Sequence, residues 1–120
     1  MVKSTLVIGA SLRENRFSNI CVRTLSEGHF PVTALGLREG FIDKIKVQTG
    51  FPVLHDIHTI TLYLGPQNQF VYYDYILDLK PARVIFNPGT ENPEFQQRLS
   101  KAGIRVTEDC TIMMVEGNRF

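Results

Sequence analysis

The sequence has little cysteine and no long hydrophobic run. Its two cysteines, Cys21 and Cys110, stand in no Cys-x-x-Cys or His-spaced pattern, so we expect two buried thiols rather than a disulfide framework or a zinc site. No stretch approaches the roughly 20 apolar residues that span a bilayer. The opening segment 1–5 is too short and polar for a signal peptide. We therefore expect a cytoplasmic protein without a membrane partner.

An excess of one charge is also missing. Thirteen Lys and Arg residues face twelve Asp and Glu residues, for a net charge of +1. Such a chain has no broad positive field for a nucleic-acid backbone, so we expect no nucleic-acid partner and only a local anion site. The 43% hydrophobic and 21% charged fractions are ordinary for a folded protein. At 120 residues, the chain is predicted to form one domain over residues 1–120.

Short apolar segments alternate with segments of helical spacing. Strands are predicted at 5–8, 31–36, 59–64, 82–86 and 104–107, and helices near 17–25, 70–79 and 94–102. Segment 41–57, interrupted by Gly50 and Pro52, predicts a loop with a short helix or strand. The alternation predicts an α/β fold, namely a single-domain, Rossmann-like, doubly wound sheet of about five mostly parallel strands with helices on both faces.

A glycine loop follows the first predicted strand. Gly9-Ala10-Ser11 carries little side-chain bulk and leads into a helix whose first N–H groups lack partners, an arrangement that suits a pyrophosphate. Arg13 and Arg16 follow as cations and Ser18 as a hydroxyl for charge-assisted contacts, with solvated side chains at the helix end as the alternative. The full Gly-x-Gly-x-x-Gly fingerprint is absent, and a plain tight turn is the alternative.

Four segments carry a family resemblance. Residues 7–11 and 16–19, with 87–92 and 108–116 near the end, resemble the small bacterial CoA-binding proteins related to the N-terminal domain of the succinyl-CoA synthetase α subunit. The resemblance implies a Rossmann-like sheet with the CoA diphosphate on the first loop. It implies no synthetase activity, because that chemistry uses a phosphorylated histidine from another domain. We therefore expect a non-catalytic CoA- or acyl-CoA-binding protein, with its protein partner left open.

The resemblance also assigns residues to parts of the cofactor. It places Gly9, Ala10, Ser11, Arg16 and Ser18 at the phosphates, Leu37 and Arg38 at the adenosine, and Gly65, Pro66 and Gln67 on the remaining wall. Two strand exits depart from the family pattern. Segment 35–39 stands where relatives commonly carry Asn-Pro, and segment 64–68 where they often carry Arg-Pro.

Other functions remain as alternatives. An NAD or NADP protein would use Glu39 or a neighbour on the ribose hydroxyls, and a domain that has lost its ligand would serve a structural or partner-binding role. His55 and His58 beside Asp56 lack a third ligand for a metal site. Cys110 is interpreted as a structural thiol, with a mixed disulfide to CoA as the alternative. No Ser or Cys pairs with a His in a recognisable catalytic motif.

Overall fold

The computed structural model describes residues 2–120, and these form one mixed sheet with helices on both faces. Its seven strands are β1 (Thr5–Ala10), β2 (Val32–Gly36), β3 (Gly40–Ile42), β4 (Ile45–Gln48), β5 (Thr59–Leu62), β6 (Arg83–Phe86) and β7 (Arg105–Glu108). The α-helices are α1 (Phe17–Glu27), α2 (Tyr73–Leu79), α3 (Pro93–Lys101) and α4 (Thr111–Glu116). Two 3₁₀ turns, Pro66–Asn68 and Phe70–Tyr72, precede α2.

The strands lie in the order β3-β4-β2-β1-β5-β6-β7. All neighbouring pairs are parallel except the β3–β4 hairpin, where Phe41 faces Lys46. The chain leaves β1 for β2 on one side and later returns to place β5 on the other. The strand order therefore reverses at β1 and β5, which is where open α/β sheets bind ligands.

Two apolar layers cover the sheet. Leu6 and Ile8 of β1 face the layer that includes Ile76 of α2 and Phe95 of α3. Val7 faces the layer formed with α1 and α4. Such burial on both faces explains why the central strands are nearly continuous apolar runs. The predicted doubly wound Rossmann-like class is confirmed.

The number of strands differs from the prediction. The sequence predicts about five, whereas residues 2–120 contain seven. The two additional strands, β3 and β4, lie in or next to the irregular segment and are only 3 and 4 residues long. Their pattern is too short to distinguish from a loop. The apolar segment near the end of the chain forms α4.

No helix within residues 2–120 combines the length and the apolar character that a membrane crossing requires.

Candidate functional site

A pocket of about 550 Å³ opens at the carboxyl ends of β1, β2 and β5. Its volume lies in the range of small-molecule and cofactor sites. It is lined by Gly9, Ala10, Ser11, Leu12, Arg13, Arg16, Phe17, Ser18, Leu37, Arg38, Tyr63 and Leu64. The pocket therefore occupies the point where the strand order reverses.

Two glycines let backbone segments approach closely beneath the pocket. Gly9 has a φ of 95°, and a Cβ atom there would lie 2.9 Å from the carbonyl carbon and oxygen of Tyr63. A Cβ atom on Gly36 would lie 2.3 Å from the carbonyl oxygen of Ala10. The β1–β2 register shifts between Ile8 and Ala10. The glycines thus allow β1 to turn out of the sheet between β2 and β5.

Internal hydrogen bonds occupy two amides of the loop after β1. The N–H of Ser11 donates to Oγ of Ser18 over 3.0 Å, and the N–H of Arg13 donates to Oγ of Ser11 over 3.2 Å. Because these amides already have acceptors, they are not the groups left free for an anion. This arrangement differs from the simple picture of a loop whose amides all face the ligand.

The first turn of α1 offers free amides instead. Arg16 is the N-cap residue, with φ −80° and ψ 143°, and its side chain makes no capping hydrogen bond; the first turn also contains no acidic residue. The first N–H groups of a helix have no partner within the helix. The N-terminus of α1 therefore combines unpaired N–H groups with the positive end of the helix dipole.

Three arginines line the same pocket, namely Arg13, Arg16 and Arg38. In the part of the chain that the structure describes, the salt bridges are Arg98–Glu94 and Arg119–Asp109, so none of the three has a carboxylate partner. A nearly neutral chain thus concentrates positive charge at one pocket. Such a site attracts a multiply charged anion.

Apolar side chains stand exposed beside these charges. Phe17, the first residue of α1, is 72% exposed, and Leu37, the residue after β2, is 89% exposed. Both line the pocket. An exposed apolar pair beside an anion site is suited to a ligand that has both a ring system and phosphates, because the ligand would cover the apolar surface.

Seven of the ten residues predicted for the cofactor line the pocket: Gly9, Ala10, Ser11, Arg16, Ser18, Leu37 and Arg38. Gly65, Pro66 and Gln67 are not part of the lining, whose wall after β5 consists of Tyr63 and Leu64. There the side chain of Gln67 fills the space beside Gly65.

Some lining residues were not predicted from the sequence. Leu12, Phe17, Tyr63 and Leu64 line the pocket, yet their apolar side chains gave no chemical signal for a site. Phe17 lies in the predicted helix 17–25, where its spacing with the other apolar residues indicates a core position. The useful signal was positional, because Phe17 opens a helix and Tyr63 ends a buried strand.

The two thiols differ in environment. Cys21 is fully buried in α1, and burial raises the pKa of this thiol to about 12. Burial likewise raises the pKa of the Tyr63 phenol, with Cys21 as a neighbouring contributor. The prediction of two buried thiols is right for Cys21, whereas Cys110, at the N-cap of α4, is partly exposed.

The histidines lie away from the pocket. His55 and Asp56 are exposed, and Nδ1 of His58 lies 2.7 Å from Oγ1 of Thr59. Across residues 2–120 no three His, Cys, Asp or Glu side chains are grouped so that they could hold a metal.

Comparison with known proteins identifies the family. A family model described as a CoA binding domain matches residues 3–116. A crystal structure described as an uncharacterized protein is 38% identical, with a TM-score of 0.96, and the match covers 100% of this chain and 99% of the other. Comparison with curated proteins gives no significant match.

Two further solved structures share the fold. A protein from Thermus thermophilus has a TM-score of 0.86 at 24% identity, covering 99% of this chain and 91% of the other. A hypothetical protein from Pyrococcus horikoshii has a TM-score of 0.86 at 19% identity, covering 98% and 83%. The family match spans all seven strands and every residue that lines the pocket, and the chain therefore belongs to the CoA binding domain family.

Proposed function

We propose that this protein binds coenzyme A or an acyl-CoA in the pocket at the carboxyl ends of β1 and β5, without catalysing a reaction on it. We further propose that residues 1–120 act as one binding domain, a hypothesis supported by the family match over 3–116. The observation that carries the proposal is the meeting of an uncapped helix N-terminus with three unpaired arginines in one pocket. This donor set suits a diphosphate.

The diphosphate is assigned to the first turn of α1. The amides of Phe17, Ser18 and Asn19 are the free donors there, because the helix bonds begin at Ile20, while the amides of Ser11 and Arg13 bond to hydroxyls. The Ser18 hydroxyl accepts from Ser11 and keeps its own hydrogen to donate to a phosphate oxygen. In this proposal Gly9, Ala10 and Ser11 let the phosphates approach closely, and Arg16 neutralises part of their charge.

The adenosine is assigned to the exit of β2. Leu37 offers exposed apolar surface for the ring, and Arg38 offers a cation for a phosphorylated ribose. Glu39, the residue considered for NAD, is exposed and does not line the pocket as described. A cation at this position suits the 3′-phosphate of CoA or the 2′-phosphate of NADP better than the free ribose hydroxyls of NAD.

The pantetheine arm is assigned to the wall after β5. Tyr63 and Leu64 line the pocket on that side, and Gly65, Pro66 and Gln67 continue beyond them. The Tyr63 phenol is buried beside Cys21, so Leu64 offers the apolar contact and the exposed Gln67 amide offers the hydrogen bonds that an amide-containing chain needs.

A binding role without catalysis agrees with the lining of the pocket. Its twelve described residues include serine, tyrosine and arginine but no His, Cys, Asp or Glu. A general base is normally one of those four types, a lysine or a tyrosine, and the phenol of Tyr63 is buried with a raised pKa. The lining is therefore better suited to holding a ligand than to moving its protons.

A ligand panel tests the proposal. Calorimetric titration with CoA, dephospho-CoA, NADP and NAD should give the tightest binding with CoA and weaker binding with dephospho-CoA, which lacks the 3′-phosphate. Preference for NADP would support the nicotinamide alternative. Absence of binding to all four nucleotides would overturn the proposal and favour a structural or partner-binding role.

A further inference from the structure

A pair of side chains from α1 holds the loop beneath the pocket from behind. Nε of Arg23 donates to Oδ1 of Asn19 over 2.8 Å, and its terminal nitrogen donates to the main-chain oxygen of Glu14 over 2.7 Å. Nδ2 of Asn19 then donates to the main-chain oxygen of Ser11 over 2.9 Å. The two side chains together hold both ends of the Ser11–Glu14 loop.

Arg23 lies outside the pocket itself. The described residues that line the 550 Å³ pocket do not include it. It lines a separate polar hollow of about 190 Å³, together with Asn19, Glu14 and Asp43. It makes no salt bridge within residues 2–120. One of its hydrogen bonds goes to Glu14 in the loop and the other to Asn19, which itself bonds to Ser11; Arg23 is therefore placed to act on the loop and not on a ligand in the pocket.

We infer that Arg23 is a positioning residue, which fixes the loop between β1 and α1 in the shape that admits a phosphorylated ligand. This inference rests on the proposed function, because it assigns Arg23 a role at that same site. Arg23 acts through Asn19 and through the Glu14 carbonyl, and its charge adds to the positive potential behind the loop.

The loop needs such support because it has few bonds of its own. Leu12, Arg13, Glu14, Asn15 and Arg16 are all exposed. Within the loop, the N–H of Arg16 donates to the oxygen of Arg13 over 3.1 Å. Ordering a loop at the moment of binding reduces affinity, so a loop held in place beforehand binds more tightly. Arg23 supplies that order in the ligand-free protein.

The geometry explains why arginine is used. A guanidinium presents several N–H groups in a fixed plane and can bond to Asn19 and Glu14 at once. A lysine at this position would keep the charge but offer a single ammonium group on a flexible stem. The variants Arg23→Lys and Arg23→Met therefore separate the effect of charge from the effect of geometry.

Two measurements on the full chain test the inference. Amide hydrogen exchange without ligand should be faster in Arg23→Met at the hydrogen-bonded amides of Ser11, Arg13 and Arg16, while β1 and the second half of α1 keep wild-type rates. Calorimetric titration should show CoA binding about tenfold weaker in Arg23→Met, and Arg23→Lys should recover less than half of that loss. Arg105→Met, which removes an exposed charge at the opposite edge of the sheet, should match the wild type in both measurements.

The outcomes separate this inference from the proposed function. Unchanged exchange at the Ser11, Arg13 and Arg16 amides in Arg23→Met overturns the positioning role, whatever the wild type binds. Full recovery of CoA affinity by Arg23→Lys also overturns it, because charge alone would then suffice. Faster exchange across all of β1 and α1 indicates a merely structural role and overturns it as well. Failure of the wild type to bind CoA overturns the proposed function. It also overturns the role of Arg23 in CoA binding.

Discussion

The main-chain N–H of Ser11 donates to Oγ of Ser18 across the turn between β1 and α1, over 3.0 Å. This bond joins the end of the first strand to the first turn of the helix. It also uses an amide that a glycine loop would otherwise offer to an anion. The N–H groups that remain free to bind an anion are therefore those of the first turn of α1, whose N-cap residue makes no side-chain capping hydrogen bond.

Gly9 can be tested against Gly89, which has nearly the same positive φ angle. Their φ angles are 95° and 91°, but a Cβ on Gly9 would meet Tyr63 at 2.9 Å, whereas a Cβ on Gly89 would meet nothing within 4 Å. We expect Gly9→Ala to lower the free energy of unfolding by about 1–3 kcal/mol more than Gly89→Ala. Urea denaturation measures both. An equal decrease in the free energy of unfolding in both variants would show that crowding against Tyr63 is unimportant.

The two cysteines should differ in reactivity. Cys21 is buried and its pKa is raised to about 12, chiefly by that burial, so little reactive thiolate exists at pH 8. Cys110 is partly exposed. We expect iodoacetamide to modify Cys21→Ser in the native state, and Cys110→Ser only after denaturant is added. Mass spectrometry of the native proteins checks this, and rapid modification of Cys21 would contradict the assigned burial.

His58 should make stability depend on pH. Burial lowers its pKa, and the positive charges of Arg83, Lys3 and Arg105 lower it further. Because the unfolded pKa is about 6.5, the folded protein takes up the proton less readily than the unfolded chain. The contribution to stability is complete above that pH and declines as the pH falls through the folded pKa.

Thermal unfolding between pH 5 and pH 8 measures this effect. His58→Gln should flatten the loss of stability on the acidic side, since the variant has no imidazole to protonate. His55→Gln is the matched control, because His55 is exposed and three positions away. It should keep the wild-type pH profile. If His58→Gln kept the wild-type pH profile, His58 would be ruled out as the cause of the loss of stability at low pH.

Arg38 should discriminate between CoA and dephospho-CoA. The proposal pairs its guanidinium with the phosphate on the ribose, and a hydrogen bond between charged groups contributes about 1.5–3 kcal/mol. We expect Arg38→Gln to weaken CoA binding by about tenfold or more, with little effect on dephospho-CoA. Calorimetry with both ligands measures the difference. Equal losses for the two ligands would place the ribose phosphate elsewhere.

The central strands and the doubly wound arrangement were predictable because burial on both faces imposes continuous apolar runs. The segment around Leu6 and Ile8 is such a run. The β3–β4 hairpin was not predictable, because Phe41 is 66% exposed and its strand is too short for a periodic signal. Strands of this kind are defined by pairing with a neighbour rather than by their own sequence.

The candidate site could be predicted only in part, because some of its residues are brought together by the tertiary structure. Gly9, Ser11 and Arg16 belong to residue types that suggest phosphate contacts, and all three line the pocket. Phe17 and Tyr63 have side chains that usually pack in a core, so their place in the lining depends on how strands and helix meet. The hydrogen bond between Ser11 and Ser18 likewise depends on the three-dimensional turn.

The most direct test of the helix N-terminus as the diphosphate site compares CoA binding by Arg16→Asn and Arg16→Gln. Both variants lose the same charge, but asparagine at an N-cap accepts hydrogen bonds from the first-turn amides and stabilises the helix, whereas glutamine is a poor cap. We expect a higher melting temperature for Arg16→Asn together with CoA binding about fivefold weaker than that of Arg16→Gln. Equal or tighter CoA binding by Arg16→Asn, in spite of the gain in stability, would contradict it.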